Sequence, residues 1–117
     1  MHEPKTVIGV RAGDAKVGVI AIGGEITSAS EEALMTAYAE ANRPAPAGLI
    51  LDFGDMVYMN SSGIGLLVTL LIRANRQGQR IFAIGLNDHY RQIFELTRLD
   101  EAIRLCADEA QARAEIG

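Results

Sequence analysis

Tryptophan is absent, and the 117-residue chain holds one cysteine, three prolines and two histidines. The lone Cys106 excludes an internal disulfide. With no apolar export segment in the opening MHEPKTVIGV, it points to a reducing cytoplasm as the expected location. His2 and His89 have no Cys, His or carboxylate neighbours at ligand spacing, so no metal is expected. Cations are also scarce: 11 Lys and Arg face 15 Asp and Glu, for a net charge of −4. Nucleic acid and membrane surfaces are therefore poor partners. No apolar run reaches the ~20 residues that span a bilayer. The charge-free stretch from Met56 to Ile72 is interrupted by Asn60, Ser61, Ser62, Gly63 and Gly65, and reads as a buried helix of a soluble fold. No repeat or low-complexity segment is present. Hydrophobic residues make up 49% and charged residues 22%, which excludes disorder over most of the length. One domain over residues 1–117 is expected.

The patterning gives an α/β fold. Thr6 to Arg11 and Val17 to Ile22 read as strands joined by a turn at AGDAK, with Gly23-Gly24 ending the second. Ser28 to Ser30 offer caps for a helix in which Leu34, Tyr38 and Ala41 share one face. Asn42 to Pro46 form a loop. Gly48 to Phe53, apolar on both faces, is a central strand. Ile64 to Arg76 is an apolar helix with Arg73 and Arg76 in its last turn and Gly78 as its stop. Ile81 to Ile84 is the next strand. Asn87-Asp88 caps a helix with apolar positions Ile93, Phe94 and Leu96. Ala102 to Leu105 is a fifth strand, and Asp108 to Glu115 a last polar helix. The order β-β-α-β-α-β-α-β-α implies a mixed, mostly parallel sheet of about five strands with an antiparallel opening hairpin.

Enzyme motifs are missing. GxGxxG fails at Val68, and SSGIG replaces the GxSxG of a nucleophile elbow. No general base is visible beside either serine. Asp52 and Asp55 fit turn formation better than acid–base work, and His89 and Cys106 fit surface and packing roles. Neither catalytic residues nor a cofactor is expected. The informative segment is Asn60-Ser61-Ser62-Gly63 between a strand and an apolar helix. One reading is purely structural: one of the polar residues caps the helix, and glycine permits close packing. The other is regulatory. A hydroxyl at a helix N-terminus lies beside free N–H groups and the positive end of the dipole, where a phosphate is tolerated. That phosphate adds charge enough to repel a docked partner.

Three segments in order resemble the STAS domain family of anti-sigma factor antagonists and sulfate-transporter tails. They are GGEITSASEEAL (Gly23 to Leu34), LILDFGDMVYMNSSGIGLL (Leu49 to Leu67) and NDHYRQIFELTRLDEAI (Asn87 to Ile103). The resemblance implies that Ser61 is the phosphorylatable serine. It implies a partner, an anti-sigma factor that is also a serine kinase, bound when Ser61 is bare and released on phosphorylation. It further implies a PP2C-type phosphatase that resets the switch. Asn60, Ser61, Ser62 and Gly63 would form the docking surface, with Met56, Tyr58 and Met59 as apolar candidates and Gly24, Glu25 and Thr27 adjoining. Three positions depart from the family: Asn60 and Thr27 stand where it carries acids, and Arg98 where it carries glycine. The Asn60 departure motivates an alternative, a STAS scaffold in a signalling or lipid-transport complex that is never phosphorylated. A small-molecule or nucleotide site at Gly63–Gly65 is a third reading. The sigma factor, the kinase, the signal and the oligomeric state are not encoded legibly.

Overall fold

The computed structural model describes residues 5–11 and 16–117. His2 and most of the AGDAK turn lie outside the described residues. The elements are β1 (Thr6–Arg11), β2 (Val17–Ile26), α1 (Glu31–Ala41), β3 (Gly48–Asp52), β4 (Met56–Met59), α2 (Ser61–Arg76), β5 (Arg80–Ile84), α3 (Asp88–Leu96), β6 (Ile103–Leu105) and α4 (Glu109–Ile116). Short 3-10 turns precede α1 and β6.

The strands form one sheet in the order β1-β2-β3-β5-β6, with β4 paired to β2 beyond the end of β3. β1 is antiparallel to β2, and every other pairing is parallel. The central placement of β3 follows from its buried run on both faces. Side chains alternate across the sheet. Ile20, Ile22, Leu49, Leu51, Ile81 and Ala83 meet α1, α2 and α3 on one face. Val19, Ile50, Phe82 and Ile84 meet Ala112 of α4 on the other. Phe53 and Phe94 pack edge to face at 5.9 Å in the larger core. Leu34, Tyr38 and Ala41 are all buried, as their spacing requires. Leu96 is not: it is 78% exposed, because Phe94 and Tyr90 take the inward face of α3.

Two expectations about strands need correction. Gly23-Gly24 does not end β2, which runs on to Ile26. Gly24 adopts φ +72° at a register shift, where any Cβ would lie 2.1 Å from the Lys5 carbonyl oxygen. Beyond that bulge pairing resumes with β4, a sixth strand too short and too exposed to show a pattern. Helix starts also differ from the expected ones. Ser28–Ser30 form the 3-10 turn, capped by Thr27 in a reciprocal box with Ser30. The Ser30 hydroxyl, fully buried, bonds Thr6 at 2.7 Å rather than capping α1.

β1 is an edge. The Glu25 N–H donates to the Lys5 carbonyl at 2.7 Å. By antiparallel alternation the backbone groups of Thr6, Ile8 and Val10 then point outward. A groove of about 420 Å³ runs between this edge and α1, lined by Ile8, Gly9, Ala33, Thr36 and the carboxylates Glu32 and Glu40.

Candidate functional site

Asn60 is the N-cap of α2: its extended backbone breaks the strand, and its Oδ1 accepts from the Gly63 N–H at 3.0 Å. Its own N–H donates to the Ile26 carbonyl at 3.2 Å, fixing the helix start to the end of β2. Gly63 has no room for a side chain. A Cβ there would lie 2.5 Å from the Ile26 carbonyl oxygen and 2.8 Å from Met59 Cγ. Gly65, by contrast, is exposed and its Cβ would touch nothing within 4 Å.

Ser61 and Ser62 are exposed on the first turn, and no acid stands in that turn. Neither hydroxyl has a hydrogen-bond partner among the described residues. The N–H groups of this turn are orphans by helix geometry, except where Asn60 caps Gly63. The site therefore offers an accessible hydroxyl, unpaired donors and a positive dipole end.

The β2–β4 pairing brings the two distant sequence segments together. Gly24 faces Met56, Glu25 faces Tyr58 and Ile26 faces Met59. Glu25 is thus beside the strand that leads into Asn60, and Thr27 lies just beyond it with its hydroxyl accepting from Ala29 N–H at 3.2 Å. Of the apolar candidates, Met59 is core and Met56 half-buried. Tyr58 is 47% exposed and its neighbour Val57 73% exposed. On α2 itself, Val68 and Ile72 are exposed too. With Ser61 and Gly65 they recur at i, i+4, i+7 and i+11, a single stripe along the helix.

Sequence reasoning passed over Tyr90. Its hydroxyl, on α3, accepts from the Met59 N–H at 2.9 Å and so holds the residue that precedes the cap. No spacing rule links the two, because the contact is made through the fold. Val57, Val68 and Ile72 were passed over as well, though the period of α2 carries the signal for the last two. Among the described residues no cluster of acids, histidine and cysteine could hold a metal, and no helix is long and apolar enough to cross a membrane.

A family model described as "Mlab, STAS domain" matches residues 10–106. Among solved structures, an anti-sigma factor antagonist from Mycobacterium paratuberculosis is similar at 20% identity, covering 96% of this chain and 94% of its own, with TM-score 0.80. The Bacillus cell fate determinant SpoIIAA, in its phosphorylated form, is similar at 20% identity over 95% of this chain and 100% of its own, with TM-score 0.72. A STAS domain protein from Planctomyces limnophilus matches at 18% identity over 94% and 97%, with TM-score 0.77. At these identities the likeness is one of fold.

Proposed function

Because the chain belongs to the STAS domain family, we propose that it is an anti-sigma factor antagonist working by partner switching. The unphosphorylated chain docks on an anti-sigma factor that is also a serine kinase. Phosphorylation of Ser61 ends the complex, and a PP2C-type phosphatase restores it. Ser61 is a substrate here, not a nucleophile. The kinase, not this chain, brings nucleotide and magnesium.

The observation that carries this reading is the placement of a free, exposed Ser61 hydroxyl at the head of an exposed stripe, Gly65, Val68 and Ile72, with Val57 and Tyr58 also exposed on the strand that leads into the helix. Apolar area supplies docking energy, at about 25 cal/mol per Å² removed from water. A phosphate adds about −1.5 to −2 charges at the rim of that area. The helix N-terminus stabilises it within the fold, so the switch acts on docking and leaves folding alone. A structural relative captured in phosphorylated form supports the reading.

The Asn60 side chain favours the second reading, an unphosphorylated scaffold in a signalling or lipid-transport complex. Its oxygen is engaged by the Gly63 N–H, and no carboxylate stands in the first turn to orient the Ser61 hydroxyl or hold a metal during phosphoryl transfer.

The deciding experiment is intact-mass and phosphosite mapping of the chain purified from its own host, with and without phosphatase. One phosphate on Ser61, absent in Ser61→Ala, is the expected result. Ser61→Ala then stays bound to the kinase partner, and Ser61→Asp binds about thirtyfold more weakly or worse, the scale of a like charge set against an interface. A chain bare of phosphate under every growth condition hands the function to the scaffold reading.

A further inference from the structure

Most arginines around the second sheet face and its edge are paired. Arg11 lies 2.9 Å from Asp52 and 2.8 Å from Glu109, and Arg113 lies 2.8 Å from Glu109. Arg104 lies 3.0 Å from Glu115. Arg80 donates to the Glu115 carbonyl at 2.7 Å and sits 5.0 Å over the Phe82 ring.

Arg43, Arg73 and Arg76 are different. They line one groove of about 440 Å³ between the C-terminal ends of α1 and α2, with Met35, Ala39 and Gln77. No Asp or Glu lines that groove. None of the three guanidinium groups meets a carboxylate among the described residues. The single polar approach is Arg73 Nη1 to Met35 Sδ at 3.5 Å.

Helix dipoles account for part of this charge and no more. Each helix C-terminus presents about −0.5 charge. Two such ends offset about one of the three positive charges, leaving a surplus of about +2 in a chain whose net charge is −4. The groove is also firmly framed. Asn42 Nδ2 donates to Gln77 Oε1 at 2.7 Å, and Gln79 Nε2 donates to Asn42 Oδ1 and to the Pro46 carbonyl, the latter at 3.1 Å. The Tyr38 hydroxyl donates to Gln79 Oε1 at 3.1 Å. These bonds tie the end of α1 to the segment after α2, so the three stems rise from a fixed base.

We propose that this groove binds a phosphate polyanion, a ligand carrying two or more linked phosphates or a phosphate monoester dianion. Planar guanidinium forks bond phosphate oxygens two at a time, and the surplus charge matches a dianion. The site is independent of Ser61. It lies at the other end of α2, about 18 Å along the axis from Ser61 to Arg73. The phosphate can belong to a soluble polyphosphate or to a lipid headgroup, and the test separates these sources.

The full chain, labelled with nitrogen-15, is titrated with tripolyphosphate against sodium chloride of equal ionic strength, and amide shifts are followed. Saturable shifts confined to residues near Arg43 and Arg73–Gln77 are expected. Arg73→Gln and Arg76→Gln should each weaken binding about tenfold, the value of a hydrogen bond to a charged group. Sedimentation with phosphatidylcholine vesicles, with and without phosphatidic acid, is the second arm. Retention on the acidic vesicles, reversed by tripolyphosphate, assigns a lipid phosphate. Binding of tripolyphosphate without vesicle retention assigns a soluble one. Shifts that are absent at millimolar tripolyphosphate, matched by sodium chloride, or unchanged in both variants overturn the proposal.

Discussion

Gly63 and Gly65 sit two residues apart in the first turns of α2, and the fold treats them differently. Gly63 is pressed against the Ile26 carbonyl and Met59, whereas Gly65 faces open space. Gly63→Ala should cost about 2 kcal/mol or more, by overpacking against a backbone that cannot retreat. Gly65→Ala should raise stability by about 1 kcal/mol, the helix propensity difference. Urea unfolding of the two variants checks both signs. The sequence shows a helix start here and the capping value of Asn60. It does not show which glycine is obligatory, because the obstructing carbonyl comes from the far end of β2. Arg98 is the reverse case. It stands where the resembled family carries glycine, and it adopts φ 62° and ψ 21°, the left-handed conformation that glycine takes without strain.

At the scale of elements, what could be read was what repeats. The apolar run of β3 and the spacing of Leu34, Tyr38 and Ala41 in α1 report burial on a regular face, and β1 and β2 are legible from their Val and Ile content. β4 has four residues with only Met59 buried, so no period exists to be read. Its partners are set by the bulge at Gly24, a tertiary event. The same holds for the pin between α3 and β4. Tyr90→Phe removes the acceptor of the buried Met59 N–H. The expected loss is about 1–2 kcal/mol, the cost of an orphaned donor, readable in a urea midpoint. A loss near zero would mean that water reaches Met59 and that β4 is held by its ladder alone.

At the scale of the whole molecule, the two sheet faces are unequal: three helices cover one and α4 alone covers the other. Cys106 lies under α4. Burial, and then the Glu115 carboxylate that accepts from its thiol at 3.5 Å, push its pKa above the usual range. Burial likewise raises that of the Tyr38 hydroxyl, with Arg73 partly opposing. The unfolded chain releases these protons at their ordinary values, about 8.5 and about 10, while the folded chain still holds them. Stability from this source is complete below about pH 8.5 and is lost as pH rises through the folded-state values. A melting temperature that falls across this range, with a shallower first part in Cys106→Ala, is the expected result.

The edge at β1 bears on what many copies of the chain do to each other. A bare edge is where a sheet can grow by recruiting its own kind, and a second β1 laid antiparallel on the first would extend the sheet across two molecules. That addition places both α1 helices on the same face, side by side. Glu32 and Glu40 of each copy would then crowd one shared cleft, lined on the single chain by Ile8 and Gly9. Like charges so placed oppose the union. The restraint on this edge-to-edge pairing is therefore carried by a helix, one layer above the strand it protects.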